Sequence, residues 1–328
     1  MRAFAYAAPR TIDEARRLVR DDPQARFHAG GTTLVDLIKA DVERPSIVVD
    51  VSRLPLDAIE LRADRLRIGA LVRNTDAAYD ATVAARFPAL AQALLAGASG
   101  QIRNAATIGG NLLQRTRCPY FRETRWRCNK RDLGSGCDAL GGYNRMHAVL
   151  GTSDRCIAAY PGDMAIALAA LDARVVVHGD GGERTLAVEE LFRVPGDRPD
   201  IETTLAHGEL VVAVEIPFAP VAERSQFFKL RDRASFAFAL VSLACGLAVT
   251  DGRIVAARLA LGGLATVPWR ARDAEALLTG ETPSDALFRR AADVAFAGAR
   301  PRAHNGFKIE LARRLILRAL RRASGDAR

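Results

Sequence analysis

The chain predicts an α+β protein of two or three domains, and three observations carry that reading. At 328 residues, 49% hydrophobic and 26% charged, it has the size and composition to bury more than one core. Short β-branched runs and helical patterns are interleaved along most of its length, and a hairpin pattern near the end is followed only by helices. Composition shifts after Pro217, where Pro220 and the charged Glu223-Arg224 read as a linker.

The elements follow in order. Thr11 to Glu14 is a capping box, in which hydroxyl and carboxylate satisfy each other's backbone donors. The turn Asp21-Asp22-Pro23 leads through a short apolar step into His28-Ala29-Gly30-Gly31-Thr32-Thr33-Leu34, and Leu34 to Ala40 has helical spacing. Ser46 to Val51 and Leu66 to Leu71 are strands, a helix begins at Thr75, and Pro88 to Ala98 is an Ala/Leu-rich buried helix. A second loop with a Gly pair runs from Gln101 to Asn111, and a cysteine-bearing stretch then extends to about Pro161. Asp163 to Leu171 is helical, and Arg174 to His178 and Val211 to Ile216 are strands. Beyond the linker, structure resumes at Phe227 to Arg231. Ala239 to Thr250 and Ile254 to Leu261 then pair around a turn at Asp251-Gly252. Helical patterns start at Ala271 and Ser284, and the last helix, Phe307 to Ala323, sets an apolar face against an arginine face, the pattern of a solvated surface helix.

Composition excludes several function classes. The net charge of +9 is scattered arginine, only four of the 47 basic residues are lysine (Lys39, Lys130, Lys229, Lys308), and no basic-aromatic motif accompanies them. Nucleic acid is therefore not an expected partner, while docking to acidic protein surfaces is. No apolar run approaches the ~20 residues of a membrane span, and the N-terminus has no apolar core of a signal peptide, so neither membrane insertion nor an export signal of its own is expected.

Chemistry concentrates in the cysteines. Cys118, Cys128, Cys137 and Cys156 fall within 39 residues of irregular sequence rich in Arg, Gly and aromatics. A thiolate quartet in a loop calls for a soft metal or an iron–sulfur cluster. The intervals, x9, x8 and x18, contain no Cys-x-x-Cys pair, which disfavours structural zinc. A [4Fe–4S] cluster is the first reading, zinc the second and a pair of disulfides the third, since a chain of this length buries a core without cross-links. Cys245, in the apolar run VSLACGLAV, reads as a buried thiol, and His147 as a minor alternative ligand.

The two Gly-pair loops are the second feature. Consecutive glycines expose backbone N–H groups and let a ligand come close. Thr32 and Thr33 in the first loop, and Thr107 and Asn111 in the second, add polar side chains, and the first loop runs into a helix whose positive end can meet an anion. Two such loops suit one pyrophosphate held from both sides. Neither Gly-x-Gly-x-x-Gly nor a P-loop is present.

Ala29-Gly30-Gly31-Thr32 before a short helix, with Thr107-Ile108-Gly109-Gly110-Asn111 downstream, resembles the flavoprotein subunits of the molybdenum hydroxylases, the family of xanthine dehydrogenase, carbon monoxide dehydrogenase and aldehyde oxidoreductases. The resemblance spans almost the whole chain. It implies an FAD-binding domain of the vanillyl-alcohol-oxidase/PCMH type over residues 1–217, with a small subdomain at about 1–53, and a smaller α+β domain of the molybdenum hydroxylase flavoprotein type over 223–325. It further implies that FAD is bound by His28, Ala29, Gly30, Gly31, Thr32, Thr33 and Leu34 of the first loop and by Thr107, Gly109, Gly110 and Asn111 of the second. Asp163 of Pro161-Gly162-Asp163-Met164-Ala165 and Lys229 of Phe227-Phe228-Lys229 match positions beside the flavin.

One departure from the common pattern is informative. The stretch Leu112 to Pro161 intervenes where the two motifs otherwise lie close, and it holds all four clustered cysteines, with the insertion proper at about 115–157. That resembles the subgroup whose flavin subunit also carries a [4Fe–4S] cluster, as in bacterial periplasmic aldehyde oxidoreductases, through the run Asn111 to Tyr120 and Cys128-Asn129-Lys130-Arg131. Hydroxybenzoyl-coenzyme A reductase is a more distant likeness. By resemblance, a large molybdenum-cofactor subunit oxidises an aldehyde to the acid and a small [2Fe–2S] subunit relays electrons. This chain collects them on FAD for an external acceptor, and the complex is exported to the periplasm by a partner's signal. The alternative is a zinc-stabilised flavoprotein or docking subunit of the xanthine or carbon monoxide dehydrogenase type. Arg115, Arg117, Arg122, Arg125, Arg127 and Lys130 are expected to favour the reduced cluster.

Overall fold

The computed structural model describes residues 1–325 and builds them on three sheets. β1 (Ala5–Ala7), β2 (Arg26–His28) and β3 (Ile47–Asp50) form a small parallel sheet with β3 in the centre. β4 (Ile59–Leu61), β5 (Arg65–Gly69), β6 (Arg174–Gly179), β7 (Gly182–Ala187) and β8 (Leu210–Pro217) form a five-stranded antiparallel sheet in the order β4-β5-β8-β6-β7. β9 (Gln226–Leu230), β10 (Val241–Thr250), β11 (Arg253–Gly262) and β12 (Trp269–Arg270) form a third antiparallel sheet in the order β12-β11-β10-β9. In the hairpin β10–β11, Asp251 (φ 51°) and Gly252 (φ 74°) both take positive φ, the primed turn that matches strand twist.

The register of β8 decides where the site lies. This strand, buried along nearly its whole length, pairs on one side with β5 and on the other with β6. The second Gly-pair loop, the cysteine stretch and the helix Asp163–Ala170 are therefore all threaded between β5 and β6, and the short helix Ile108–Leu112 packs on β5 and β8. The helix Asp163–Ala170 is apolar on every face because it is buried on every face. It packs on the helix Pro88–Ala96 and on β10 and β11, tying the first domain to the second. A separate core joins β10 and β11 to the helices Arg272–Leu278, Asp285–Val294 and Phe307–Ala323, and Cys245 is buried within it.

Two local expectations need correction. Thr11 caps the first helix as expected, its Oγ1 accepting from the Glu14 N–H at 3.2 Å, but the Glu14 carboxylate accepts from the Arg10 N–H at 3.3 Å and not from that of Thr11. The last helix buries Ala312, Leu315, Ile316 and Ala319 as its pattern required, yet its first turn also buries Lys308 completely. Lys308 Nζ donates to the carbonyls of Met146 at 3.3 Å, His147 at 3.1 Å and Gly263. Burial pulls its pKa down to about 7. Among the described residues no helix is long and apolar enough to cross a membrane.

Candidate cofactor sites

The two Gly-pair loops meet. A Cβ on Gly30 would stand 2.0 Å from the Ala105 carbonyl oxygen, so the first loop packs backbone on backbone against the entry to the second. Gly31 takes φ 71°, a conformation that turns the chain towards the helix Leu34–Lys39. Among the described residues the backbone N–H groups of Gly31, Thr32 and Thr33 have no protein acceptor. They border a cavity of about 610 Å³, whose wall also includes His28, Ala29, Gly30 and Leu34 from the first loop and Thr107, Gly109 and Gly110 from the second. The helix that follows is only six residues long and Thr33 makes no capping bond to it, so the expected anion site rests on free loop N–H groups and not on a long helix. Thr107 caps the next short helix, Ile108–Leu112, through the Gly110 N–H at 3.3 Å.

Three predicted residues lie off this wall. Asn111 faces its own turn, its Oδ1 accepting from Gln114 Nε2 at 2.6 Å. Asp163 borders a second cavity of about 310 Å³, which shares Thr116, Ala159 and Tyr160 with the first. Lys229 lies on neither wall and donates to Asp163 Oδ2 at 2.7 Å and to the Ala96 carbonyl at 3.0 Å. Burial pushes the Asp163 pKa upward against the opposing charge of Lys229.

The structure adds residues that sequence reasoning missed. The far wall of the first cavity comes from Phe192, Glu202 and the segment up to Val211. Arg115 is held between Glu43 and Glu202, its guanidinium 4.5 Å from the Phe121 ring centroid, and Lys130 Nζ lies 2.9 Å from Glu202. Burial acts to raise the Glu202 pKa, but Arg115 and Lys130 hold it below the usual range. Arg117 and Arg122 both pair with Asp36, and Arg127 with Asp138. Most of the cationic bias expected around the cysteines is thus neutralised by carboxylates, while Arg125 lies over the Trp126 ring.

All five cysteines are free thiols, so the two-disulfide alternative is not formed. Cys128 and Cys156 are buried and Cys118 and Cys137 half-buried. Cys128 and Cys137 face each other across an isolated antiparallel bridge. Burial pushes the thiol of Cys118 up to about 12 and that of Cys156 to about 11, and charge on Cys128 raises both further, as it does that of Cys137. The Ala158 N–H donates to Cys156 Sγ at 3.5 Å. His147, 2% exposed, places Nε2 3.1 Å from Cys118 Sγ, and burial, then the charge of Lys308, pull its pKa down to about 4. Among the described residues no three His, Cys, Asp or Glu side chains close on a single metal ion.

Known proteins give this geometry a family. Residues 2–219 match the model described as the FAD binding domain in molybdopterin dehydrogenase, and residues 226–323 that of the CO dehydrogenase flavoprotein C-terminal domain. The chain is 48% identical, over all of both chains, to the aldehyde oxidoreductase FAD-binding subunit PaoB of Escherichia coli K12. It is 25% identical to the carbon monoxide dehydrogenase medium chain of Hydrogenophaga pseudoflava, covering 98% of this chain and 96% of the relative. Among solved structures, quinoline 2-oxidoreductase from Pseudomonas putida 86 superposes with TM-score 0.76 at 28% identity, over 99% of this chain and 98% of that one. Carbon monoxide dehydrogenase from Hydrogenophaga pseudoflava superposes with TM-score 0.77 at 26% identity, with the same coverage. Two family models in order, a relative nearly half identical end to end, and a cavity gathered by two glycine loops lead to one conclusion: the chain belongs to the FAD-binding subunits of the molybdenum hydroxylase family.

Proposed function

We propose that this chain is the FAD- and [4Fe–4S]-binding electron-transfer subunit of a heterotrimeric, molybdenum-dependent aldehyde oxidoreductase. The observation that carries the flavin half is the 610 Å³ cavity with three unpaired loop N–H groups on its wall, a cradle for a pyrophosphate. His28 to Leu34 and Thr107, Gly109 and Gly110 would hold that group, with Asn111 bracing the second loop. Asp163 and Lys229 would border the flavin from the second cavity and its rear. Bound FAD supplies one- and two-electron chemistry, and the chain's own task is to bind it, orient it and shield it.

Cys118, Cys128, Cys137 and Cys156 would hold the cluster. Support comes from four free thiols, buried or half-buried, carried by one irregular stretch, with the Ala158 N–H donating to the sulfur of Cys156; thiolates are the ligands an iron–sulfur cluster takes. The aldehyde reading rests on the name and 48% identity of the Escherichia coli relative. By that likeness a large molybdenum-cofactor subunit oxidises the aldehyde, a small [2Fe–2S] subunit delivers electrons, and an external acceptor removes them. We also place the assembled complex in the periplasm, exported through a partner. Cell fractionation that finds it only in the cytoplasm would overturn that placement.

Metal, sulfide and flavin analysis of anaerobically purified protein, wild type beside Cys128→Ser, tests the cofactor reading. About four irons and four sulfides per FAD, lost in the variant, is the expected result. Zinc without sulfide, or flavin without metal, would sink the cluster and leave the insertion as a docking element.

A further inference from the structure

We propose that His147 tunes the cysteine-bound cluster by donating its Nε2–H to the Cys118 sulfur, with Lys308 and Asn305 as the positioning residues that hold it there. The inference rests on the reading that the four cysteines carry a [4Fe–4S] cluster.

The contact itself is 3.1 Å, and the imidazole is 2% exposed. Its other nitrogen, Nδ1, is buried without a partner. An orphaned N–H is costlier to bury than a bare ring lone pair, so the proton belongs on Nε2, facing the sulfur. A cysteine bound to iron has no S–H left and can only accept. Among the described residues His147 is the one side chain within hydrogen-bond reach of any of the four sulfurs; the one backbone donor is the Ala158 N–H, 3.5 Å from Cys156 Sγ.

The imidazole is aimed by the second domain. The His147 carbonyl accepts from Lys308 Nζ at 3.1 Å and from Asn305 Nδ2 at 3.4 Å, and Asn305 Nδ2 also reaches the Ala148 carbonyl at 3.0 Å. Asn305 and Lys308 are themselves completely buried, so this latch does not give way to solvent. On the insertion side the His147 N–H donates to the Asn144 carbonyl at 3.0 Å, and the Tyr120 ring tilts against the imidazole at 5.9 Å.

The sign of the effect follows. A donor to ligand sulfur stabilises the state with more negative charge, the reduced cluster, and raises its potential. Most of the nearby arginines are paired with carboxylates, whereas this bond is a direct donor to a ligand sulfur.

An EPR-monitored redox titration of the full-length chain tests it, using wild type, His147→Phe, His147→Gln and Lys308→Met, each assayed for iron and sulfide. The expected result is a loaded His147→Phe whose reduction equilibrium constant falls about tenfold, equivalent to about 59 mV for a one-electron couple. His147→Gln, which keeps an N–H donor, should recover part of the shift, and Lys308→Met should move in the same direction as Phe. An unchanged potential in loaded His147→Phe overturns the proposal. Should that variant hold no cluster, pulsed EPR of reduced wild type labelled with ¹⁵N-histidine decides. A weak coupling to one histidine nitrogen supports the bond, whereas no coupling, or the strong coupling of a directly ligated nitrogen, overturns it. Wild type without iron and sulfide is a different failure, that of the cluster reading itself.

Discussion

Replacing Lys229 by methionine probes the junction of the two domains, and the structure sets the size of the effect. Lys229 Nζ lies 2.7 Å from Asp163 Oδ2 and the two side chains are 5% and 9% exposed, so this is a buried ion pair. Methionine keeps the volume of the stem and removes the charge. Asp163 is then left as a buried carboxylate, and removing one partner of such a pair costs about 3–5 kcal/mol. Arg231, which donates to the same Ala96 carbonyl at 3.1 Å, adds a second, weaker positive influence on Asp163 and sets the expectation near about 3 kcal/mol. The pH dependence follows from the same pair. Burial already drives the Asp163 pKa upward, and without Lys229 its folded-state value rises further above the unfolded one. Folded protein then holds the extra proton, so the variant is favoured below the unfolded carboxyl pKa of about 4 and loses stability as pH rises. Urea unfolding followed by circular dichroism should show a deficit that is full at neutral pH and shrinks in acid. The double variant Asp163→Asn, Lys229→Met should regain most of the loss. A single variant within about 1 kcal/mol of wild type at neutral pH, or a deficit indifferent to acid, refutes the reasoning.

Three further outcomes follow from the sites. Gly30→Ala should weaken FAD binding by about tenfold or more, because its Cβ would meet an immovable carbonyl at 2.0 Å, while Gly110→Ala, which meets only Thr107 Oγ1 at 3.1 Å, should be milder; equal retention of flavin on gel filtration would contradict this. Arg115→Met leaves Glu43 and Glu202 without their shared cation beside the cavity. Thermal unfolding should record a loss of about 1–3 kcal/mol, and flavin fluorescence should report easier release. Limited proteolysis of metal-free chain should cut within residues 115–157, whereas cofactor-loaded chain should resist. The apolar cluster under the first half of the insertion is Leu37, Phe121 and Cys128, flanked by Val42 and Cys118, while Val149 and Leu150 join the C-terminal core; equal resistance would show that the insertion folds unaided.

What the sequence made legible was whatever is encoded locally. The β10–β11 hairpin followed from two apolar runs around an Asp-Gly turn, and the helix Asp285–Val294 starts at the Ser284 cap its pattern announced. The two glycine loops were visible because their chemistry lies in consecutive residues. The strands that escaped, β1, β2, β4, β7 and β12, are two to six residues long and mostly exposed or half-buried, so no apolar alternation marks them. Arg115 was noticed as a basic residue, but its carboxylate partners are 72 and 87 residues away and no motif links them. Lys308 was placed on a helix expected to lie on the surface, since an amphipathic pattern counts lysine as polar. Only the three carbonyls that converge on it from other segments explain its burial.

The insertion is therefore not an appendage to a flavin domain. Lys130 and Cys156 border the first cavity, Cys118 and His147 border the second, and Thr116 stands on the wall of both. Its exit runs directly into the site: Ala158 gives its N–H to Cys156 Sγ at 3.5 Å, and Ala158, Ala159 and Tyr160 line the first cavity. Tyr160 then fixes the second glycine segment through its hydroxyl, which donates to the Leu112 carbonyl at 2.9 Å. A shift of that short run by a fraction of an ångström would alter the hydrogen bond to the Cys156 sulfur and the wall of the first cavity together. The cysteine stretch and the second glycine segment are thus braced by the same few residues, Ala158 to Tyr160.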